Sequence, residues 1–213
     1  IILGFAQSAV KRVDTDDLLA LPLKSIEREA LRCKNLVQDL LIFSRQHKDQ
    51  AQEFDFNEVV ATTRGMIVAE ARLKSVEILT DLGALPDFIG DNNKIQQVII
   101  NLCNNALDAL PSGGKITIRT RQGAVAGARG IVLEVEDDGV GIPEEIRDRI
   151  FNPFLTTKEK GKGTGLGLAL VYEIVHGHGG AVEVKSGARG GTVFVVFLPD
   201  RRASLSGHRG EAR

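Results

Sequence analysis

Hydrophobic residues over the first fifty positions recur at helical spacing. Beyond Pro22, apolar or small residues follow one another at steps of three and four, the spacing of a coiled-coil seam: Leu23, Ile26, Ala30, Cys33, Val37, Leu40 and Ser44. A shorter apolar segment at 1–10 precedes them, and the acidic stretch 14–17 is placed to turn the chain or to cap the second helix. The pattern predicts a helical hairpin over residues 1–50 that joins an intermolecular bundle. Packing of this hairpin within its own chain is the alternative.

From about residue 53 the pattern changes to that of a mixed α/β domain. Helices are predicted at 57–74, at 92–110 with Asp91 as N-cap, in a short turn after Pro143, and up to about 176. Strands are predicted at 76–81, 115–121, 131–137, 181–186 and 192–198. The glycine- and alanine-rich stretch 123–130 predicts a flexible hairpin loop. We therefore expect one domain at 51–199, followed by a disordered basic tail at 200–213.

Composition narrows the class of protein without naming a function. The chain has 213 residues, a formal net charge of -1, and no apolar run long enough for a membrane-spanning helix. These features argue against binding to nucleic acid and leave membrane attachment only to segments upstream of Ile1. Cys33 and Cys103 both lie in apolar helical patterns and are predicted to be buried thiols. We expect a cytoplasmic core.

The predicted helix at 92–110 carries an unusual number of asparagines. Asn101 and Asn105 are four residues apart and share one helix face, and Asn104 lies beside them. Asparagine is a mediocre helix former, so this cluster needs a reason. Amide oxygens are hard neutral ligands that Mg²⁺ accepts beside waters and phosphates. Hydrogen bonding to a neighbouring loop is the structural alternative.

Two glycine-rich segments follow. The sequence Asp137-x-Gly139-x-Gly141 ends a predicted strand, where a carboxylate can accept a hydrogen bond from an exocyclic amine such as that of adenine. The dense run 161–167 leads into an apolar helix, so its backbone N–H groups can face anionic phosphates. A tight turn and a flexible linker are the respective alternatives. Neither segment matches a Walker A loop, a dinucleotide fingerprint or a calcium loop.

The segment 151–158 lies between these two glycine-rich runs. Phe151 and Phe154 flank Pro153, and hydroxyl residues and Lys158 follow. This arrangement predicts an anchored hinge to a movable lid over phosphates. A hydrophobic staple for a loop is the alternative.

Together these segments resemble the sequence boxes of the GHKL nucleotide-binding superfamily, in family order and spacing over about 90–198. The matches are the N box at 101–106, the first glycine box at 137–141, the F box at 151–154, the second glycine box at 163–168 and the closing Gly-Thr motif at 191–194. The sequences of 152–158 and 178–180 look most like the corresponding sequences of two-component sensor kinases of the nitrogen-regulation type. Segments 1–10 and 25–45 resemble parts of their dimerisation helices. The implied fold is α+β, a two-layer α/β sandwich of the GHKL (Bergerat) type preceded by an antiparallel helical hairpin that forms a dimeric four-helix bundle.

The resemblance also implies roles for single residues. Asp137 would bind the adenine amine of ATP, Asn105 would bind Mg²⁺, and Lys158 would approach the phosphates. Asn101 and Asn105 would be the catalytic residues. The implied nucleotide-binding set is Asn101, Asn105, Asp137, Gly139, Gly141, Ile142, Lys158, Gly161, Lys162, Gly163, Thr164, Gly165, Leu166, Gly167 and Thr192. Relatives that hydrolyse ATP usually carry glutamate at the position of Asn101, and asparagine cannot act as a base, so transfer to a protein side chain is favoured over hydrolysis.

The expected function is an ATP-dependent protein histidine kinase core that acts as a homodimer and passes phosphate on to a response-regulator receiver domain. None of the four histidines, His47, His176, His178 and His208, has the sequence context of a phosphoacceptor. His176 and His178 are predicted to be surface or turn residues. We expect the acceptor histidine just upstream of Ile1, roughly two helical turns before the segment that resembles the first dimerisation helix. The alternatives are a GHKL ATPase or serine kinase, and a nucleotide-sensing module without transfer activity.

Overall fold

The computed structural model describes residues 1–14, 17–44, 51–110, 112–158, 163–187 and 190–200. The chain forms two compact units, Ile1–Gln46 and His47–Arg213. Across the described ranges, no helix combines the length and the apolar character needed to cross a membrane. Apart from Asp200, the predicted tail and the histidines at 47 and 208 lie outside the described residues.

The first unit consists of two helices that pack on each other, α1 (Ile2–Val10) and α2 (Ala20–Ser44). The carboxylate of Asp17 accepts a hydrogen bond of 2.8 Å from the backbone N–H of Leu19, just before α2 begins. This unit leaves large apolar side chains exposed, among them Phe5 and the seam residue Ile26, whose exposed fraction is 50%. The predicted pairing of these residues with a second copy stays a prediction.

Cys33 corrects one prediction in this unit. Its side chain is exposed on α2, whereas Cys103 in the second unit is buried. Burial raises the pKa of the Cys103 thiol to about 12. The prediction of a buried thiol is therefore confirmed for Cys103 and wrong for Cys33, since a seam position is covered only when another helix lies over it.

The second unit is an α/β domain with a five-stranded sheet. Its helices are α3 (Phe56–Leu73), α4 (Asn92–Ala109), α5 (Glu144–Arg147) and α6 (Gly167–Gly177). Its strands are β1 (Gln52–Phe54), β2 (Val76–Leu82), β3 (Phe88–Gly90), β4 (Gly114–Val125), β5 (Ala128–Asp137), β6 (Ala181–Ser186) and β7 (Thr192–Pro199). The sheet order is β2-β4-β5-β7-β6, with β2 and β4 parallel and the other pairs antiparallel. Strands β1 and β3 form a separate antiparallel pair that the sequence did not predict.

The sheet has one face against helices and one face that carries charge. Helices α3, α4 and α6 contact the sheet, and Ile116 and Ile118 on β4 are fully buried. Arg119, on the opposite face of the same strand, forms an ion pair of 2.6 Å with Glu136 of β5. This alternation is the pattern of a strand with one buried side. It gives the predicted α+β arrangement with two layers.

The stretch 123–130 is not the flexible loop that its composition predicts. Strands β4 and β5 continue through it, and only Ala126 and Gly127 form the turn, both at positive φ (49° and 84°). A two-residue turn of this kind suits the twist of a hairpin. A Cβ on Gly130 would collide with the carbonyl oxygen of Leu198 on β7. Glycine there permits close packing of strands and does not provide flexibility.

His176 is exposed and His178 lies in the turn after α6, so both agree with the prediction of surface or turn residues. The imidazole of His178 is buried at the end of α6. Its Nδ1 lies 2.8 Å from the carbonyl oxygen of Ile174, and its Nε2 accepts a hydrogen bond of 3.4 Å from the backbone N–H of Asp91. His178 therefore joins the end of α6 to the start of α4.

Candidate active site

Helix α4 carries two of the predicted site residues, Asn101 and Asn105. Its N-cap is Asp91, as predicted, since the carboxylate accepts hydrogen bonds from the backbone N–H groups of Asn93 (3.0 Å) and Lys94 (3.2 Å). Leu102 and Cys103 lie fully buried on the core side of α4. Asn101 and Asn105 are half-buried on another face, where polar side chains can meet a ligand.

Asn101 has one satisfied and one unsatisfied amide atom. Its Oδ1 accepts a hydrogen bond of 3.3 Å from Nε2 of Gln97, one turn earlier on α4. Its Nδ2 is buried and has no hydrogen-bond partner in the described part of the chain. A Cβ built on Gly167, the first residue of α6, would lie 3.7 Å from Asn101 Oδ1. The N box thus contacts the start of the helix that follows the second glycine box, and a buried donor is left for an acceptor.

Asn105 faces Lys158 of the segment after the F box. The ammonium of Lys158 donates to Asn105 Oδ1 over 3.4 Å and forms a close ion pair with Asp108, one turn further along α4. The other oxygen of Asp108 lies 3.3 Å from Nζ of Lys74. A cationic group therefore already contacts the amide oxygen that is expected to bind a metal ion. That contact agrees with a site suited to a cation.

Asp137 is buried at the end of β5, with an exposed fraction of 3%. Its Oδ1 accepts hydrogen bonds from the backbone N–H groups of Gly139 (2.9 Å) and Thr192 (3.3 Å). Burial raises the pKa of this carboxyl, although the hydrogen bonds from Gly139 and Thr192 oppose the rise. A carboxylate has about four lone-pair sites, so it can still accept a hydrogen bond from a ligand amine.

Glycines let the backbone close around Asp137. A Cβ on Gly139 would lie only 2.6 Å from the carbonyl oxygen of Ala109 at the end of α4. Gly141 has a φ of +74°, and a Cβ there would lie 3.2 Å from the carbonyl oxygen of Gly191. Gly191 also has a positive φ, and its own Cβ would collide with the backbone of Asp137. The backbones of the first glycine box and the Gly-Thr motif are thus packed together.

The described residues on either side of the predicted lid, 154–158 and 163–165, contact each other. Phe154 has a φ of +67°, which is rare for a residue with a side chain, and its backbone N–H donates to the carbonyl oxygen of Gly165 over 2.9 Å. Gly163 lies against Thr156 and Lys158, where a Cβ would come within 2.7 Å of the Thr156 hydroxyl. The backbone N–H of Leu166 donates to the Thr164 hydroxyl, and α6 begins without a side-chain cap.

The structure therefore brings predicted residues together in pairs, two of them beside α4 and one at the end of β5. Asn101 meets Gly167, Asn105 meets Lys158, and Asp137 meets Thr192. Ile142 is half-buried. The predicted residues Gly161 and Lys162 lie outside the described residues.

Sequence reasoning missed two polar residues in this region, Gln97 and Asp108. Gln97 lies four residues before Asn101, and Asp108 lies three residues after Asn105. The spacing of side chains on one helix face could have indicated both, because residues three or four apart on a helix are neighbours.

Comparisons with known proteins give the family of this domain. A family model described as histidine kinase-, DNA gyrase B-, and HSP90-like ATPase matches residues 90–202, more than half of the chain. The chain belongs to this family. The GHKL-type fold and the ATP-binding character of the domain follow from membership.

Individual relatives are sensor kinases by name. The sensor kinase CckA of Brucella abortus is 41% identical over 189 residues, which cover 83% of this chain and 20% of that protein. The histidine kinase ThkA, solved in complex with the response regulator protein TrrA, has a TM-score of 0.71 at 27% identity and covers 93% of this chain and 56% of that one. Full-length ShkA, solved in complex with AMPPNP, shares the fold, with a TM-score of 0.76 at 24% identity over 93% of this chain and 42% of that one. The chain spans well under half the length of curated relatives such as CckA.

The residues present fit ATP as a ligand. The buried Nδ2 of Asn101 lacks an acceptor, which a phosphate oxygen could supply. The Asp137 carboxylate has lone pairs left beyond its bonds to Gly139 and Thr192, so it could accept a hydrogen bond from the adenine amine. The Asn105 oxygen is a ligand of the type that Mg²⁺ accepts.

Proposed function

We propose that this chain is the ATP-dependent catalytic core of a protein histidine kinase in a two-component signalling system. Membership of the family and the resemblance to sensor kinases over most of the chain support this proposal. The proposed reaction transfers the γ-phosphoryl group of ATP to a histidine ring nitrogen. The new N–P bond forms as the bond between the γ-phosphorus and the bridging oxygen breaks, and ADP leaves with that oxygen.

The observation that carries the proposal is the side chain of Asn101. An amide cannot take a proton from water at neutral pH, so the position that would hold a hydrolytic base holds a hydrogen-bond donor and acceptor instead. The site then offers positioning and electrostatic stabilisation of a transferring phosphoryl group, which is what phosphoryl transfer needs. Direct hydrolysis of ATP has no candidate base at Asn101.

The remaining roles follow the contacts of the described residues. The Asp137 carboxylate accepts a hydrogen bond from the adenine amine, and Gly139 and Gly141 let the backbone approach the ring. Asn105 holds Mg²⁺, which when bound offsets the charge of the phosphates. Lys158 leaves Asp108 and Asn105 to contact the phosphates, and the second glycine box covers the triphosphate with backbone N–H groups.

We also propose the assembly in which the core acts. The exposed apolar residues of the helical unit, such as Phe5 and Ile26, support a homodimer through a four-helix bundle. The acceptor histidine is proposed to lie upstream of Ile1, and a response-regulator receiver domain is proposed to take the phosphate from it. The sequences of 152–158 and 178–180 support assignment to the nitrogen-regulation type of sensor kinase. A cytoplasmic location fits all of these roles.

Labelled ATP provides the test. The chain is compared with a version extended by its natural upstream segment, each incubated with Mg²⁺ and ATP labelled at the γ-phosphate. We expect both to bind ATP in calorimetry, and only the extended version to form acid-labile phosphohistidine.

Three other results would contradict parts of this proposal. Phosphohistidine on the 213-residue chain itself would contradict the upstream acceptor. Release of labelled phosphate without labelled protein would favour the ATPase alternative. Binding of ATP with neither product, in both versions, would favour the nucleotide-sensing module.

A further inference from the structure

We propose that Gln97 is a positioning residue that orients the Asn101 amide, so that Asn101 presents its N–H group and not its oxygen to a phosphate of ATP. This inference rests on the proposed function, because it concerns the same nucleotide site. It assigns a role to Gln97 and gives Asn101 and Asn105 opposite tasks, with Asn101 as donor to an anion and Asn105 as acceptor for a cation.

The geometry on α4 carries this proposal. Gln97, Asn101 and Asn105 follow one another at intervals of four residues, so they form one ridge along the helix. The Gln97 side chain donates to Asn101 Oδ1 over 3.3 Å. The same amide keeps a buried Nδ2 without a partner among the described residues. One end of the Asn101 amide is therefore held by Gln97, and the other end is a buried donor that lacks an acceptor among the described residues.

An asparagine amide needs such a partner because its two ends have similar shape and opposite polarity. Turned by half a rotation, it would present an acceptor where it now presents two donor hydrogens. Phosphate oxygens only accept hydrogen bonds, so the turned amide would face them with two acceptors and no donor. The Gln97 contact favours the productive orientation before the ligand arrives and lowers the cost of binding.

The backbone of α4 does not depend on the Gln97 contact. The helix is capped by Asp91, and its core side is filled by apolar residues such as Leu102. Gln97 itself is half-buried, and its described side-chain bond goes to Asn101. A change at Gln97 should consequently alter ligand affinity more than stability.

The decisive variant is Gln97→Glu. A carboxylate of the same shape can only accept, so it pairs with Asn101 Nδ2 and turns the amide away from the productive orientation. We expect the dissociation constant of a non-hydrolysable ATP analogue to rise about 10- to 100-fold, the range for one hydrogen bond to a charged group. Adenosine, which has no phosphate, should bind as it does to the wild type. Gln97→Met removes the contact without reversing it and should give a smaller loss than Gln97→Glu.

Gln96→Glu is the matched control, because Gln96 is the neighbouring half-buried residue and donates instead to the sulfur of Met66. It adds the same charge to the same helix and should change the affinity by no more than about twofold. The double variant Gln97→Glu with Asn101→Ala separates orientation from direct repulsion. Without Asn101, the glutamate should cause little further loss, which is the coupling expected of contacting residues. All variants should melt close to the wild type.

The results distinguish this inference from the proposed function. If wild type binds the analogue and Gln97→Glu behaves like Gln96→Glu, the orienting role of Gln97 is wrong. The same conclusion follows if Gln97→Glu causes its full loss in the Asn101→Ala background, since the added charge then acts on the ligand directly. If the wild type binds neither the analogue nor adenosine, the proposed function fails first.

Discussion

The Asp137 region and the lid segment, here residues 154–158 and 163–165, hold their polar groups in different ways. Asp137 is buried and is held by backbone N–H groups, while glycines bring three stretches of backbone into close contact around it. Lys158 is about one-third exposed and is held by side chains, Asp108 and Asn105. A group held by packed backbone has one arrangement, whereas an exposed lysine can exchange partners at small cost. We infer that the Asp137 region selects the adenine ring of the nucleotide and that the lid segment adapts to the phosphates.

The largest effect should come from Asp137→Asn. The amide oxygen can still accept from Gly139 and Thr192, but an amide N–H group would now face the adenine amine. We expect nucleotide affinity to fall about 100-fold, measured by calorimetry. An affinity close to that of the wild type would contradict the adenine role.

The same variant tests the electrostatic cost of the buried carboxyl. Burial raises the pKa of Asp137, so the folded state disfavours its ionised form. Stability from this group is present below the ordinary carboxyl pKa of about 4 and is lost as pH rises through the raised value. At neutral pH the variant avoids that loss, so its melting temperature should equal or exceed that of the wild type. Nucleotide affinity of the wild type should also weaken as pH falls through the raised pKa, while that of the variant should not.

Asn105→Ala removes the amide oxygen of α4 that Lys158 contacts. It should weaken Mg-ATP binding about 10- to 100-fold through loss of a ligand to the cation. Nucleotide binding in the absence of Mg²⁺ should change little. The matched control is Asn104→Ala, since Asn104 is the adjacent residue and is exposed. Equal loss in both variants would argue against a metal role for Asn105.

Alanine substitutions at Gly139 and at Gly165 compare how firmly the backbone is held in the two regions. Gly139→Ala places a Cβ 2.6 Å from the backbone of Ala109, so it should lower the free energy of unfolding by about 1 to 3 kcal/mol. Gly165→Ala is strained by its positive φ and by Phe154, but it lies in the lid. We expect Gly165→Ala to make proteolysis of the lid segment faster and to leave the melting temperature unchanged. Global destabilisation by both would remove the distinction between the two regions.

Lys158→Met should have the smallest effect. A partly exposed charge contributes modestly, so ATP affinity should fall about two- to fivefold. Lys185→Met, which alters an exposed lysine on β6, serves as the control. A loss as large as that of Asp137→Asn would show that the lid is not the adaptable part of the site.

Local rules predicted the parts of this domain that depend on local chemistry. The Asp91 cap and the strand 181–186 appear where the sequence places them, because capping and alternation act within a few residues. The N box and the glycine boxes were found in sequence because each needs a particular residue type at a particular position. Their convergence on α4 could be expected from the family resemblance, not from periodicity.

Long-range packing accounts for what the sequence did not predict. Gly130 reads as a loop residue, but its neighbour across the sheet, β7, is far away in the chain. His178 reads as a turn residue, and only the folded chain places Asp91 beside it. The spacing of Gln97 and Asn101 on one helix face is visible in the sequence, but the direction of the hydrogen bond between their amides is set only in the folded chain.

The contrast between the two cysteines has a practical consequence for spectroscopy. A thiol with a pKa of about 12 inside the core hardly forms the thiolate that maleimides attack, so Cys103 should stay unmodified in the native protein. Cys33 is exposed on α2 and is the other cysteine of the chain. One spin label or fluorophore can therefore be attached to the helical unit without mutagenesis. Two labelled copies would then report their separation directly.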